Sequence, residues 1–302
     1  MNTNQPDLTA LITTFARAYH SINCVNKIFD DYLAYDILGE ESFLFLRDSL
    51  SNLYNLLNPN VPIYDKNKKL DWVMKNQSSP ITLSRSQYTE DCLNSIIKNE
   101  SIQYVILGAG LDTYAFRQPA QPNNLQIYEL DQPQTQSYKL NRIKELGWST
   151  PNNLCFLPID FTKENLYTIL SGSNFKTDSQ SLFSWLGVAM YLSDETILTV
   201  LQSIATISAP GSLIIFDYLD LDAFNDSQTT SNVQHLIKLA ERSGHSINSG
   251  IDSKKLPDTL SQIGLKVKEI LTPVDIEKRF FLNCDSGYHS FDHIHFALIE
   301  VL

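Results

Sequence analysis

Cysteine is scarce in this sequence. Four residues in 302, at positions 24, 92, 155 and 284, form no CxxC pair. That spacing excludes a zinc knuckle and gives no support to a disulfide framework. Reduced, mostly buried thiols are expected. Long apolar runs are missing as well: none approaches the roughly 18–20 residues that a membrane helix needs. The first residues, Met1–Asp7, lack the charged-then-apolar plan of a secretory leader, so a cytoplasmic location is expected. Positive charge is in short supply, with 23 Lys and Arg against 34 Asp and Glu and a net charge of -11. Tight binding to nucleic acid draws on Lys and Arg facing phosphates, so nucleic acid is not expected as a partner. The local cluster Lys139, Arg142 and Lys144 reads as the solvated face of a helix. A G-x-S-x-G elbow, a Walker loop and an H-E-x-x-H helix are all absent, which weakens hydrolase and NTPase readings.

What is present is an ordinary globular composition, 43% hydrophobic and 19% charged, in a chain long enough to bury a sizeable core. The first hundred residues read as helical. Leu8, Leu11, Ile12, Phe15 and Tyr19 recur at amphipathic spacing, and Phe43 to Leu57 repeats the pattern. Three prolines between Asn58 and Pro80 predict a loop-rich stretch, followed by a helix over Tyr88–Lys98. From Tyr104 the pattern alternates. Short apolar strands are predicted at 104–107, 125–130, 154–159, 182–186 and 213–218, with helices at 133–146, 162–170 and 194–207 between them. Apolar strands separated by such helices imply parallel βαβ units with both sheet faces covered. Helical stretches over Gln228–Ser243 and Ser253–Ile263 follow, then two final strands at 267–271 and 294–301. The expected class is α/β: a Rossmann-like, seven-stranded, mostly parallel sheet with helices on both faces. The expected division is a helical segment over 1–100 and the sheet domain over 101–302.

The most informative segment is Tyr104-Val-Ile-Leu-Gly-Ala-Gly-Leu-Asp-Thr. A strand runs directly into Gly108-Ala109-Gly110, where the absence of side chains lets the backbone turn sharply and approach a ligand. Thr113 occupies the place of the third glycine in a dinucleotide fingerprint, which counts against NAD. Glu129 and Asp131 end the second strand, where a carboxylate accepts hydrogen bonds from ribose hydroxyls and repels the 2′-phosphate of NADP. Asp160-Phe161 ends the third strand. That pair reads either as an adenine contact or as a helix N-cap beside a core aromatic.

Several ordered motifs resemble the leucine carboxyl methyltransferase family, including its bacterial polyketide-type O-methyltransferase branch. They are Ser84-Arg-Ser-Gln-Tyr-Thr-Glu-Asp91, Gln103 through Arg117, Tyr128-Glu-Leu-Asp-Gln-Pro133, Ser184-Trp-Leu-Gly-Val-Ala-Met-Tyr-Leu192 and Pro210 through Tyr218. The resemblance implies S-adenosyl-L-methionine as cofactor and a small-molecule carboxylate or hydroxyl as methyl acceptor. It implies that Arg85 pairs with the methionine carboxylate, where a guanidinium fork suits better than a lysine. It implies that Gly108, Ala109 and Gly110 pass beside the methionyl and ribose parts, that Asp131 with Glu129 holds the ribose, and that Asp160 and Phe161 frame the adenine. Residues 1–100 would then form a lid over the substrate. The chain departs from the pattern at Leu186, where many members carry a glutamate. That argues against assuming a protein's C-terminal leucine as substrate.

Methyl transfer from a sulfonium is an in-line displacement, so positioning can supply much of the catalysis. Tyr191, after the fourth strand, is the catalytic candidate, in an orienting role, set against a packed aromatic. Asp217-Tyr218 ends the fifth strand and reads either as substrate-facing or as a loop anchor. His289, His293 and His295 lie close together in sequence, with His293 and His295 expected on one face of the last strand. No carboxylate or cysteine completes an obvious ligand set there, and no metal is expected. Methylation of a protein C-terminus and an NAD-dependent oxidoreductase are the alternatives.

Overall fold

The computed structural model describes residues 6–97, 101–118, 124–225, 230–242, 246–247, 250–284 and 287–302. Five helices precede the sheet: α1 (Leu8–Asn23), α2 (Ala34–Leu38), α3 (Glu40–Leu57), α4 (Lys66–Asn76) and α5 (Ser78–Ile96). Strands and helices then alternate as β1 (Ile102–Leu107), α6 (Tyr114–Arg117), β2 (Leu125–Asp131), α7 (Pro133–Glu145), β3 (Leu154–Pro158), α8 (Leu166–Ser171) and β4 (Ser181–Trp185). The remainder comprises α9 (Asp194–Ile207), β5 (Leu213–Leu219), α10 (Ser231–Arg242), α11 (Leu256–Ser261), β6 (Leu265–Leu271), α12 (Pro273–Ile276) and β7 (Ile294–Val301). Among the described residues no helix is long and apolar enough to cross a membrane.

Seven strands form one sheet in the order β3-β2-β1-β4-β5-β7-β6. The first five in that row are parallel, and β7 runs antiparallel to both β5 and β6. This is the α/β, Rossmann-like architecture that the alternation predicts. Every residue of β1 is buried, as a central parallel strand covered on both faces requires. One face carries Tyr104, Ile106, Ile127 and Leu182 against Leu83, Tyr88 and Leu93 of α5. The opposite face carries Val105, Leu107, Tyr128 and Phe183 against Leu166 of α8 and Ile197, Leu201 and Ile204 of α9. A third apolar cluster joins Phe15 of α1, Ile37 and Leu38 of α2, Leu46 of α3 and Met74 of α4 to Leu111 and Ile143. The N-terminal helices therefore share a core with the loop after β1.

Four expectations need correction. The stretch 58–80 is not a loop throughout, because α4 and the first turn of α5 lie within it. Pro80 sits in that first turn, where a missing N–H breaks no helical hydrogen bond. The helix predicted over Tyr88–Lys98 thus starts at Ser78, while Lys98 lies outside the described residues. The helix over 228–243 is observed as Ser231–Arg242, with 228, 229 and 243 outside the described residues. Lys139 is not solvated: it is 1% exposed and pairs with Glu129.

Asp31, between α1 and α2, is fully buried and joins three segments. Its carboxylate pairs with Arg17 of α1 and accepts from the Thr113 hydroxyl at 2.5 Å. Arg17 also donates to the Leu111 carbonyl at 3.0 Å, beside the glycine loop. Arg117 donates to the Thr113 hydroxyl at 3.0 Å and pairs with Glu90 of α5. Removing one member of such a buried set leaves its partners charged and unpaired. Asp31→Asn is expected to destabilise the fold by about 3–5 kcal/mol in urea unfolding. A loss below about 1 kcal/mol, the range of exposed pairs, would show that these charges are solvated.

Candidate active site

The strand order reverses between β1 and β4, so a crevice opens at their carboxyl ends. A cavity of about 300 Å³ lies there. Its floor is the β1 loop from Gly108 to Asp112, with Asp131, Gln132 and Asp160–Thr162 to one side and Ser184, Leu186–Val188, Tyr191 and Leu192 to the other. Thr9, Ala10, Thr13 and Arg17 of α1 line it from above, and Thr82, Arg85 and Ser86 of α5 form a wall.

The glycines are where the backbone demands them. Gly108 and Gly110 have φ of 74° and 53°, the left-handed region that side chains resist. A Cβ on Gly108 would lie 2.4 Å from the Val188 side chain, and one on Gly110 would lie 3.3 Å from Ala10. The Gly108 and Ala109 amides both donate to the Leu130 carbonyl, at 2.8 and 3.0 Å. The Gly110 amide donates to one oxygen of Asp131, and the Gln132 amide donates to the other at 2.6 Å. Burial raises the Asp131 carboxyl above its ordinary range, and these two backbone donors oppose that rise.

Eight of the nine predicted site residues line this one cavity: Arg85, Gly108, Ala109, Gly110, Asp131, Asp160, Phe161 and Tyr191. Glu129 is the exception. It is 1% exposed and lies within the β1–β2 ladder opposite Ile106, two residues short of the sheet edge. One carboxylate oxygen pairs with Lys139 of α7, and the other is buried without a hydrogen-bond partner. Burial pushes this carboxyl up to about 7, with Lys139 acting in the opposite direction.

Asp160 also differs from a free adenine-binding acid. Its carboxylate accepts from the Thr162 amide at 3.0 Å, the Thr162 hydroxyl at 2.6 Å and Lys163 at 2.6 Å, and so holds the turn before α8. The hydrogen bonds from Lys163 and Thr162 hold its carboxyl below the usual range. The capping residue of α8 itself is Asn165. Phe161 packs toward Trp185 with ring centroids 6.3 Å apart. The pair therefore closes a turn and borders the cavity, and Asp160 is not the helix N-cap that the sequence offered.

Tyr191 follows β4 in a short 3₁₀ turn and borders the cavity. Burial raises its phenol above the ordinary value, although nearby Arg85 acts to lower it. It therefore keeps its proton at neutral pH and can orient a ligand as a donor. The Arg85 guanidinium donates to Asp217 at 2.6 Å, and Asp217 is fully buried outside the cavity lining. Asp217 is an anchor and not a substrate-facing acid. Leu186, with Ile106, Val188 and Leu192, gives the cavity an apolar side.

Sequence reasoning missed Arg17 and the threonines of α1, which reach the cavity only through long-range packing, and did not single out Asp112 within the quoted glycine motif. Gly187 was within the quoted motif but was not singled out, and its φ of 67° is the conformation that calls for glycine there. The histidines are placed elsewhere. His293, with φ of 62°, lies just before β7 and not within it, whereas His295 is in the strand. Both border a shallow surface depression with Asp220, Asp222 and Asp292. His289 lies 3.0 Å from Glu277. Among the described residues no group of three or more His, Cys, Asp or Glu is arranged to hold a metal ion.

A family model described as leucine carboxyl methyltransferase matches residues 10–205. A Bacillus subtilis (strain 168) protein, "Putative S-adenosyl-L-methionine-dependent methyltransferase YktD", is 37% identical over 299 residues, 98% of either chain. Among solved structures, a DUF574 family protein from Streptomyces avermitilis MA-4680 superposes with a TM-score of 0.56 at 12% identity, covering 83% of this chain and 97% of that one. "A putative methyltransferase" from Thermobifida fusca YX gives 0.53 at 15%, covering 83% and 94%. At those identities the two structures speak for the fold.

The placement of the two acids generates a ranking. Asp131→Asn is expected to weaken binding of S-adenosylhomocysteine more than about tenfold by calorimetry, about 1.4 kcal/mol. Glu129→Gln is expected to stay within about threefold, or about 0.7 kcal/mol. The reverse order would make Glu129, and not Asp131, the acid that matters for the ligand. Because the Glu129 carboxyl is raised in the fold, its share of stability is whole below about 4.5 and is lost as pH climbs through about 7. In Glu129→Gln that part of the pH dependence of Tm disappears.

Proposed function

The chain belongs to the leucine carboxyl methyltransferase family and is an S-adenosylmethionine-dependent methyltransferase. From that premise we propose that it methylates an oxygen of a small-molecule acceptor, a carboxylate or an acidic hydroxyl. The observation that carries this reading is the composition of the cavity. Among the described residues lining it there is no His, Lys, Cys or Glu. Its aspartates are already engaged: Asp112 accepts from the Tyr114 amide, Asp7 from the Thr9 amide, Asp131 from two backbone amides and Asp160 from its own turn. A site without a spare base suits an acceptor that brings its own negative charge, and a carboxylate is ionised at pH 7.

The residues present fit the cofactor. Glycine backbone stands where a Cβ would collide, a carboxylate closes β2, and a buried guanidinium stands on the opposite wall. When bound, S-adenosylmethionine supplies an electrophilic methyl group on a sulfonium. In this reading Arg85 holds the methionine carboxylate, Gly108–Gly110 run beside the methionyl chain and Asp131 takes the ribose hydroxyls. Phe161 covers the adenine face. Tyr191 orients the acceptor with its retained proton, and Leu186 and Val188 exclude water from the transfer path. Residues 1–100 act as the lid and 101–302 as the cofactor domain, with α1 forming the roof.

The family's name favours a second reading, methylation of a protein's C-terminal carboxylate. Leu186, in place of the glutamate found in many members, counts against it. The oxidoreductase alternative gives way to the family assignment. The test is transfer of labelled methyl from S-adenosylmethionine to matched panels of carboxylic acids, phenols, alcohols and amines. Turnover is expected with carboxylic acids or acidic phenols, and product on amines alone would overturn the reading. Arg85→Ala is expected to lower affinity for S-adenosylhomocysteine more than about tenfold, about 1.4 kcal/mol. An unchanged affinity would remove Arg85 from the site.

A further inference from the structure

Arg85 does not stand alone in its wall. β4 ends at Trp185, paired with Phe216, so the chain beyond it leaves the sheet beside the next residue of β5, Asp217. There the ladder is continued by a side chain. The Gly187 amide donates to one carboxylate oxygen of Asp217 at 2.6 Å, and Arg85 donates to the other at 2.6 Å. Asp217 is fully buried and outside the cavity lining, so it touches neither cofactor nor acceptor space. Gly187 closes the arrangement from the other side. Its φ is 67°, and a Cβ there would lie 2.4–2.8 Å from the guanidinium atoms of Arg85. The guanidinium is thus laid across a bare stretch of backbone and held at one end by a fully buried carboxylate that also accepts from the Gly187 amide.

We propose that Asp217 is the positioning residue for the amino-acid end of the cofactor, setting the Arg85 guanidinium and the Gly187 amide in one rigid frame. The proposal rests on the reading of Arg85 as the partner of the methionine carboxylate. A guanidinium recognises a carboxylate through its planar fork, so its orientation matters as much as its charge. An arginine on a helix wall otherwise has several rotatable bonds, and freezing them in advance removes that cost from the binding step. A buried carboxylate with two donors is suited to the task. An amide in its place offers one acceptor oxygen for two donors and turns its own N–H groups toward the other.

The experiment compares two ligands by calorimetry on the full chain. One is S-adenosylhomocysteine, and the other is 5′-methylthioadenosine, which lacks the amino-acid end. Asp217→Asn is expected to lower affinity for the first about tenfold, about 1.4 kcal/mol, and for the second by less than about twofold. General loosening of the fold would lower both together and overturn the proposal, as would an unchanged affinity for both. Arg85→Ala separates the two claims. If it too affects only the first ligand, the reading of Arg85 holds, and Asp217→Asn added to it is expected to change nothing more. If Arg85→Ala leaves both affinities unchanged, the reading of Arg85 fails, whatever Asp217 does. Should Asp217→Asn fail to fold, Gly187→Ala displaces the guanidinium from the opposite side. It is expected to produce the same selective loss, and equal losses for both ligands would overturn the proposal.

Discussion

The site depends on how the chain leaves β1. Two parallel strands, β1 and β2, end side by side, and the chain after Leu107 must turn over the end of its neighbour. Three successive amides make that turn. Gly108 and Ala109 donate to the Leu130 carbonyl, and Gly110 donates to the Asp131 carboxylate. Two left-handed glycines allow it, with Val188 and Ala10 packed too close for a side chain at either. Once this turn is made, its neighbours have little freedom. The roof helix α1 rests on Gly110, the β4 loop rests on Gly108, and Asp131 is fixed at the rim.

Charge is handled by the same logic of fixed partners. Arg17, Arg85, Arg117 and Lys139 are all buried or nearly so, and each faces a carboxylate from another part of the chain. Buried pairs of this kind add little net stability compared with apolar packing, but breaking one is costly. Their placement around the crevice is therefore better understood as a constraint on geometry. Asp31 ties the N-terminal helices to the loop after β1, Glu129 and Lys139 tie α7 beneath that loop, and Asp217 ties α5 to the β4 loop.

Much of the sheet was legible in the sequence, because parallel strands buried on both faces must be apolar and must be separated by helices. The bounds of α9 and β7 follow directly, and α9 opens on a Ser193 cap that accepts from the Thr196 amide. The turn that borders the cavity was legible for the same local reason: its glycines and Asp131 fall at strand ends. The misreadings share a different cause. Pro80 looked like a helix breaker but occupies a first turn, which only the rest of α5 reveals. Lys139 looked solvated, because a polar helix face does not disclose a buried carboxylate on the adjacent strand. Glu129 and Asp131 both read as strand-end acids, and the register of β2 against β1 puts the first inside the sheet and the second at its rim. Arg17, Asp31 and Asp217 act across long separations that no local pattern encodes.

The position of β7 carries a consequence for how the molecule is made. It lies between β5 and β6 in the sheet although it follows both in the chain. During synthesis β5 emerges with its outer side unpaired and stays so while α10, α11 and β6 are translated. β6 has no neighbour at all until β7 arrives to bridge them. An open strand edge invites pairing with other chains. The nascent protein must therefore carry β5, with the Asp217 that anchors Arg85, as an open border until β7 has been made.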